Sequence, residues 1–154
     1  MSYSVKINTD GLNKFSEKFK TSYALVGVLG SKSQEGSIAE YAYAHEFGSV
    51  TNNLPRRSFL KDPLEKHLPE GVERIKKTLT KLIEAGEVDK ALEILGLKGV
   101  EIVKKAFETS NDGEWKPLSQ ATIDAMKESR RKGWKILVDT GALRGSITSM
   151  VVKE

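Results

Sequence analysis

The sequence predicts an α+β fold in which an antiparallel β-sheet packs against several α-helices, two of which form a central hairpin. Short runs typical of strands lie toward both ends of the chain, at 4–8, 23–30 and 147–152. Between them, apolar side chains recur at the three- and four-residue spacing of helices. Because strands and helices do not alternate regularly, a parallel βαβ series is not indicated. With 154 residues, the chain has the size of a single domain, 1–154.

The N-terminal segments predict two strands separated by a helix. Residues 4–8 alternate apolar and polar side chains, as a half-buried strand does. Three large apolar side chains within 12–19 then share one helical face. Segment 23–30 is short, almost continuously apolar and rich in valine, which favours a buried central strand. We expect a polar loop at 31–36.

A second helix and an exposed loop are predicted between residues 37 and 58. Ser37 followed by Glu40 is a capping-box pattern, and Gly48 stands where a C′ glycine would end the helix. Residues 49–58 are polar and contain a proline. We therefore expect an exposed and mobile loop at 49–58.

The central hairpin is predicted from two helical stripes of apolar side chains that Gly86 separates. Asp62 and Pro63 favour a helix start, because a first-turn proline loses no hydrogen bond that the helix needs. Pro69 lies farther inside the helix and predicts a break near Leu68.

The second helix of the hairpin, at 88–107, contains two glycines. Gly96 and Gly99 each cost about 1 kcal/mol relative to alanine in a helix interior. Either the helix kinks there, or the glycines admit a close neighbour.

The C-terminal segments predict a turn, a helix and a strand. Residues 110–113 read Ser-Asn-Asp-Gly, which is typical of a turn. Ser119 can cap a helix that runs through about Arg131 and ends at Gly133. Residues 147–152 are apolar enough to pair into the sheet as the final strand.

The composition excludes several classes of site. The chain has no cysteine, so disulfides and thiolate metal sites are excluded. No segment approaches the ~20 apolar residues that cross a bilayer, and we expect a soluble protein made in the cytoplasm, without membrane contact. The net charge of +4 is spread along the chain and is no strong argument for nucleic acid.

His45 and Glu46 are the residues that most resemble an enzyme motif, since His-Glu opens the zinc-protease signature. That signature needs a second histidine four residues later, where this chain has Ser49. The only other histidine is His67, which leaves zinc short of ligands. We expect a structural histidine and glutamate, hydrogen-bonded near a helix end. A hydrolase using this pair stays an alternative, but no catalytic constellation stands out, and we predict a non-enzyme without metal or cofactor.

The segment 127–135 concentrates five cations and one aromatic residue. It has two interpretations: a solvated helix end whose cations complement the helix dipole, or a surface that contacts phosphates and stacks on a base. The first is the simpler one. The second predicts a small nucleic-acid-binding protein using Arg130, Arg131, Lys132 and Trp134.

Two pairs of short motifs, in a fixed order, carry a family resemblance. Residues 42–48 fit Ala-x-x-His/Glu-Phe-Gly and lead to Pro-x-Arg-x-Phe-Leu at 55–60. Trp-x-Pro-Leu-x-x-x-Thr follows at 115–122, and a basic linker reaches Ile-Leu-Val-x-Thr-Gly-x-Leu-Arg-x-Ser-Ile at 136–147. With these motifs, the chain resembles the phage virion morphogenesis (tail-completion) family over most of its length.

The resemblance implies a non-enzymatic structural protein of the virion, made in the bacterial host cytoplasm, that joins tails to capsids as a tail-completion or neck protein. It also implies a ring-like homo-oligomer, six-fold like the tail, in contact with neighbouring connector or tail proteins. The same motifs fit a tail terminator. A protein placed where DNA leaves the capsid would have use for weak DNA contact through 127–135.

The matched residues divide into a framework and a set of candidate contacts. We expect Phe47, Phe59 and Leu60 to anchor both ends of the 49–58 loop in the core. Trp115 and Leu143 are also expected in the core, because large apolar side chains are usually buried. The framework set is His45, Glu46, Phe47, Gly48, Pro55, Phe59, Trp115, Pro117, Thr140, Gly141 and Leu143. The candidate partner or oligomer contacts are Asn52, Asn53, Arg56, Arg57 and Arg144; for the arginines, partner contact and simple exposure are equally open.

Overall fold

The computed structural model describes residues 22–28, 32–33, 36–128, 137 and 141–153. It confirms the α+β class, with an antiparallel sheet packed against helices and a two-helix hairpin. The predictions for 4–8 and 12–19 lie outside the described residues. The elements in chain order are β1 (Ser22–Val28), β2 (Lys32–Ser33), β3 (Gly36–Ser37), α1 (Ile38–Phe47), α2 (Lys61–Glu84), α3 (Val88–Thr109), α4 (Gln120–Glu128), α5 (Ala142–Ser146) and β4 (Ile147–Lys153).

The main sheet joins the two ends of the described chain. β1 pairs antiparallel with β4 in a register that sets Ser22 opposite Lys153 and Val28 opposite Ile147. The prediction of a buried central strand is wrong for β1: among the described residues it pairs with β4 alone, and Leu25, on the face away from α3, is 39% exposed. An antiparallel strand buries one face on its helices and turns the other outward, and β1 follows that pattern.

The helical hairpin packs on the inner face of this sheet through the two glycines of α3. A Cβ added at Gly96 would lie 2.9 Å from the Cβ of Ser149, and one at Gly99 would lie 2.9 Å from Cγ2 of Val26. The helix runs without interruption from Val88 to Thr109. The helix therefore does not kink at the two glycines. They instead let a neighbouring element approach closely, and that element is the sheet.

The break predicted near Leu68 is wrong, because α2 continues through Pro69. The helix is held against α3 beyond that point: a Cβ at Gly71 would lie 3.2 Å from Cδ1 of Ile102. Pro69 and Glu65 both lie on the exposed face, where water can satisfy the carbonyl group that the proline leaves without a partner. Packing of the helix therefore outweighs the single lost hydrogen bond.

Two segments predicted as loops are ordered by backbone pairing. In the first, β2 (Lys32–Ser33) pairs antiparallel with β3 (Gly36–Ser37), and Lys32 faces Ser37. In the second, Ser49 and Leu54 exchange two backbone hydrogen bonds of 2.9 and 2.8 Å, which closes a hairpin around an exposed turn. Residues 50–53 and 56 are exposed as predicted, but 57 and 58 are buried, so the predicted exposure is wrong at those two positions.

The turn after α3 is left-handed. Ser110, Asn111 and Asp112 have φ of 54°, 52° and 55°, and Gly113 continues at 84°. Such conformations cost roughly 1–2 kcal/mol per non-glycine residue, so packing on either side must hold the turn. It reverses the chain and delivers the buried Trp115 to the core.

The start of α4 is confirmed at the residue predicted to cap it. The Oγ of Ser119 accepts a hydrogen bond of 3.2 Å from the N–H of Thr122. The structure describes α4 as far as Glu128, so its predicted end near Arg131 lies outside the described residues.

The core lies where α3 meets α1, α5, the inner sheet face and the start of α2. Its members are apolar side chains brought from five separate stretches of the chain. They are Ala42, Phe59, Val103, Ala106, Phe107, Trp115, Leu137, Leu143 and Ile147.

Candidate functional site

The carboxylate of Glu46 caps the N-terminus of α2. Its Oε1 accepts hydrogen bonds from Oγ of Ser58 (2.7 Å) and N of Lys61 (3.0 Å). Its Oε2 accepts from N of Phe59 (2.9 Å) and N of Leu60 (3.0 Å). The first N–H groups of a helix have no partner inside the helix, and its N-terminus carries partial positive charge. The buried carboxylate of Glu46, on α1, supplies both the hydrogen-bond acceptors for these N–H groups and a negative charge next to the positive end of α2.

Ser58 links this cap to the motif around Trp115. Its Oγ, besides donating to Glu46, accepts from N of Asp62 at 3.0 Å. Its carbonyl oxygen accepts a 2.8 Å bond from Nε1 of Trp115. The indole ring meets Phe107 edge-on, with ring centroids 5.6 Å apart. The polar end of this tryptophan is therefore satisfied within the core.

Arg57 joins the same two regions through backbone atoms. Its N–H donates to the carbonyl of His45 at 2.8 Å, and its guanidinium donates to the carbonyls of Lys116 (2.8 Å) and Pro117 (3.1 Å). The residue is 5% exposed, so simple exposure is wrong for Arg57. Burial lowers its pKa from the usual value, although arginine remains charged.

Three of the four sequence motifs thus meet in one buried hydrogen-bonded unit, which we call the motif network: His45, Glu46, Arg57, Ser58 and Trp115. Residues 45–46 come from α1, 57–58 precede α2, and Trp115 follows α3. The fourth motif contributes Leu143 and Ile147 to the adjoining core. Sequence spacing alone does not bring these stretches together: Ser58 and Trp115 are 57 positions apart, and Arg57 is 59 and 60 positions from its partners Lys116 and Pro117.

His45 is held neutral. Burial first, and the positive charge of Arg57 second, lower its pKa to about 4. Its Nδ1 is buried without a hydrogen-bond partner, and its ring packs edge-on against Tyr41 at a centroid distance of 4.3 Å. Each oxygen of Glu46 already accepts two bonds from the protein. The carboxylate therefore offers no open position for a substrate or an attacking water.

Among the candidate contacts, Arg56 and Arg144 lie at the surface in ion pairs. Arg56 donates to both oxygens of Asp62, at 2.8 and 2.6 Å. This pairing raises the pKa of Arg56 and lowers that of Asp62. Arg144, on α5, forms an ion pair with Glu108, on α3. Asn52 and Asn53 lie at the exposed turn of the 49–54 hairpin.

The framework residues differ in their placement. Phe59, Trp115 and Leu143 are core, as predicted. Gly48 ends α1 with φ of 78°, and a Cβ there would lie 2.9 Å from N of Arg56. Phe47, expected in the core, is 60% exposed, and Pro117 contacts the network through its carbonyl while its side chain is exposed.

Several predicted residues have other placements. Pro55 is half-buried, and Gly141 stands at the start of α5 with φ of 74°. The remaining framework residue and the candidate phosphate contacts lie outside the described residues: Thr140, Arg130, Arg131, Lys132 and Trp134.

An exposed apolar surface was missed by the sequence reasoning. Tyr43 and Phe47 stack at a centroid distance of 4.7 Å on the outer side of α1, and both are largely exposed. Val50, three residues farther along, is fully exposed at the hairpin turn. We call Tyr43, Phe47 and Val50 the aromatic tip. Its signal in the sequence was the four-residue spacing of Tyr43 and Phe47, offset from the buried Ala42, His45 and Glu46.

Within the described stretches, no three His, Asp or Glu side chains gather in a way that would hold a metal ion. No helix in these stretches has the length and apolar character needed to cross a membrane. Comparisons with protein-family models, with curated proteins and with solved structures gave no match.

Proposed function

We propose that the protein is a non-enzymatic assembly protein of a phage particle that acts at the head–tail junction and joins tails to capsids as a tail-completion or neck protein. The observation that carries the proposal is the motif network. Motifs that resemble the virion morphogenesis family are separate in sequence, yet three of them hydrogen-bond to one another and the fourth packs beside them. They act together as one framework.

The chemistry of that framework favours a structural role. The groups that an enzyme would use, the imidazole of His45 and the carboxylate of Glu46, are buried, and the carboxylate is saturated with hydrogen bonds. What the framework offers to solvent is the hairpin of residues 49–54, fixed at both ends. A rigid core that presents a shaped loop is suited to binding a neighbouring protein.

In this proposal the protein works as a ring of identical copies in the virion, with the six-fold symmetry of the tail, and contacts connector or tail proteins on either side. Closed cyclic symmetry requires two different, complementary faces on each subunit. The tail terminator is the nearest alternative, since it shares the same motifs and the same need for a ring.

The test is electron microscopy of a lysate from the parent phage or prophage with this gene disrupted. We expect filled heads lying apart from finished tails, and joined particles when the protein is supplied. The variant His45→Gln, folded but without an imidazole, should restore joining as well as the wild type. Joined particles in normal numbers without the gene would contradict the proposal, and rescue lost in His45→Gln at normal stability would favour the hydrolase alternative.

A further inference from the structure

The charge of Arg57 is treated differently from that of the other arginines that the structure describes. Arg56, Arg74 and Arg144 lie at the surface, and each forms an ion pair with a carboxylate. Arg57 is 5% exposed, and its guanidinium forms no ion pair with a described residue. Buried charges in proteins are usually paired with an opposite charge. The buried arginine is therefore the one that lacks its counter-charge.

The hydrogen bonds of Arg57 orient the guanidinium without neutralising it. Nε and Nη2 donate to the carbonyl oxygens of Lys116 and Pro117, at 2.8 and 3.1 Å. These acceptors are dipoles without net charge, so the positive charge of the side chain stays in place. Nη1 makes no hydrogen bond to a described residue and is not enclosed. A donor of the buried guanidinium therefore remains open to solvent.

His45 adds a second polar group without a partner at the same place. Its backbone carbonyl accepts the bond from N of Arg57, and the charge of Arg57 contributes to lowering the pKa of its imidazole. The residue is 6% exposed, and its Nδ1 is buried without a hydrogen-bond partner. Tyr41, whose ring packs against this imidazole, is half exposed, so the pair lies just below the surface.

The charges around Arg57 select the kind of ligand that fits. His45 is neutral, and Glu46 is directed into the cap of α2, where each of its oxygens already accepts two bonds. The place therefore carries one positive charge and an open donor, which match a monoanion with oxygen acceptors. A carboxylate has these properties, whereas a phosphate monoester brings ≈ −1.5 to −2 charges and would leave negative charge unmatched.

We propose that Arg57, with His45 beside it, binds a carboxylate group. Hydrogen bonds between arginine and a carboxylate are roughly twice as strong as those between neutral groups. A carboxylate that accepts from Nη1 supplies the opposite charge that the two carbonyl groups do not. His45→Gln leaves the charge of Arg57 in place, so normal head–tail joining by that variant agrees with this site.

A carboxylate can come from the Asp or Glu side chain of a neighbouring protein or from a small carboxylic acid in solution. We assign it to a neighbouring protein of the particle, and this assignment rests on the proposed function, whereas the site rests on the structure alone. Arg57 closely follows the hairpin of residues 49–54, which the proposed function places in contact with a neighbour. Arginine is also enriched at protein interfaces.

The site is tested on the full-length wild-type protein with formate as the probe. Sodium formate replaces sodium chloride at constant ionic strength, and the ring protons of the two histidines are followed by NMR at neutral pH. We expect the His45 signals to shift along a saturable curve. His67, in an exposed pair with Asp112, is the internal control and should show no saturable shift. Formamide, which has a similar size and no charge, should shift neither.

A matched pair of variants identifies the binding group. Arg57→Gln removes the buried charge, and we expect formate to bind roughly tenfold or more weakly, because a hydrogen bond to a charged group is lost. Arg74→Gln removes a paired arginine at the surface and should bind formate as the wild type does. Circular dichroism checks that both variants fold. A wild-type titration without a saturable His45 shift would overturn the inference, and it needs no substitution.

Head–tail joining in the lysate then separates the two sources of the carboxylate. Folded Arg57→Gln that fails to restore joining, while Arg74→Gln restores it, supports the neighbouring protein. Joining restored by both variants, together with formate binding, would overturn that assignment and leave a small carboxylic acid as the ligand. If wild type itself fails to restore joining, the proposed function is wrong, and the formate titration still decides whether the site exists.

Discussion

At the scale of single residues, this protein uses buried polar side chains as connectors. Glu46, Arg57 and Ser58 lie inside the molecule. The side chains of Glu46 and Arg57 bond to backbone groups of other segments, whereas Ser58 bonds to Glu46 through its hydroxyl and to the indole of Trp115 through its carbonyl. A buried charge is expensive unless its hydrogen bonds are satisfied, and these are. Their removal therefore exposes unpaired donors and acceptors, which makes the residues sensitive probes of the fold.

Glu46→Gln should lower the free energy of unfolding by about 3 kcal/mol, since charge-assisted bonds are lost and an amide N–H₂ faces backbone donors. Urea unfolding followed by circular dichroism measures the change. Glu40→Gln, on the exposed face of the same helix, is the matched control and should change stability by less than about 0.5 kcal/mol. Equal effects at the two positions would show that the cap contributes nothing.

His45 predicts a pH dependence of stability. Its folded pKa of about 4 lies below the ordinary value of 6.5, so between these values the unfolded chain binds a proton that the folded protein does not. The contribution of neutral His45 to the free energy of unfolding is complete above pH 6.5. It falls as the pH drops toward 4, by on the order of 1 kcal/mol per pH unit. The side chain of His45→Gln does not titrate between pH 6.5 and 4. This variant should therefore lose less free energy of unfolding across that range than the wild type does.

The comparison needs His67→Gln as its control, because His67 is the other histidine and lies in an exposed pair with Asp112. That variant should keep the wild-type loss across the window attributed to His45. A His45→Gln curve parallel to the wild type between pH 6.5 and 4 would mean that the buried imidazole is protonated in the folded state.

At the scale of elements, α3 organises the fold. One side of it packs along α2, and another receives the sheet at Gly96 and Gly99. A glycine in a helix is usually a weakness, but here the missing side chain is the reason that the backbone of α3 and the strands approach closely. The continuity of α2 through Pro69 has a related cause, since packing on α3 fixes the helix beyond the proline.

Gly99→Ala should therefore destabilise the protein by about 1–3 kcal/mol through overpacking, even though alanine is favoured in helices by about 1 kcal/mol. Chemical unfolding measures it. Gly145→Ala, where an added Cβ meets nothing within 4 Å, is the control and should be neutral or slightly stabilising.

The clash at Gly99 has a named partner, Cγ2 of Val26. In a double-mutant cycle, Val26→Ala should make Gly99→Ala less costly, which gives a favourable coupling energy. If the effects of the two substitutions are additive, the loss of stability in Gly99→Ala does not come from the contact with Val26.

At the scale of the whole molecule, the core and the motif network connect α1, α2, α3, α5 and the β1–β4 sheet. α3 contacts α2, β1 and β4, and the network ties α1, the start of α2 and the segment after α3 into the same body. No described element has a core of its own. The prediction of a single domain has a direct consequence for unfolding.

Unfolding should be a single cooperative transition. With the chain's other tryptophan replaced, in Trp134→Phe, the fluorescence of Trp115 reports the network while far-UV circular dichroism reports the helices. We expect the two midpoints to coincide within error, as two-state unfolding requires. A fluorescence midpoint at a clearly lower denaturant concentration than the circular-dichroism midpoint would show that the network opens before the helical hairpin does.

The sequence alone determined the features that depend on local spacing. Apolar periodicity predicted the two-helix hairpin and the final strand, and Gly48 and Ser119 marked the limits of α1 and α4, because caps and stripes are properties of a few neighbouring residues. It also placed Phe59, Trp115 and Leu143 in the core. These predictions needed no knowledge of what lies across the fold.

The tertiary structure alone decided the features that depend on contacts between distant segments. Arg57 was predicted at the surface and is buried, since its partners at 116 and 117 are near only after folding. Phe47 was predicted in the core and is exposed, because the neighbouring Glu46 turns inward to cap α2. Pro69 does not end its helix, because α3 supports it. Local sequence patterns determine where the helices and strands form. Contacts between distant segments determine which side chains are buried and which are exposed.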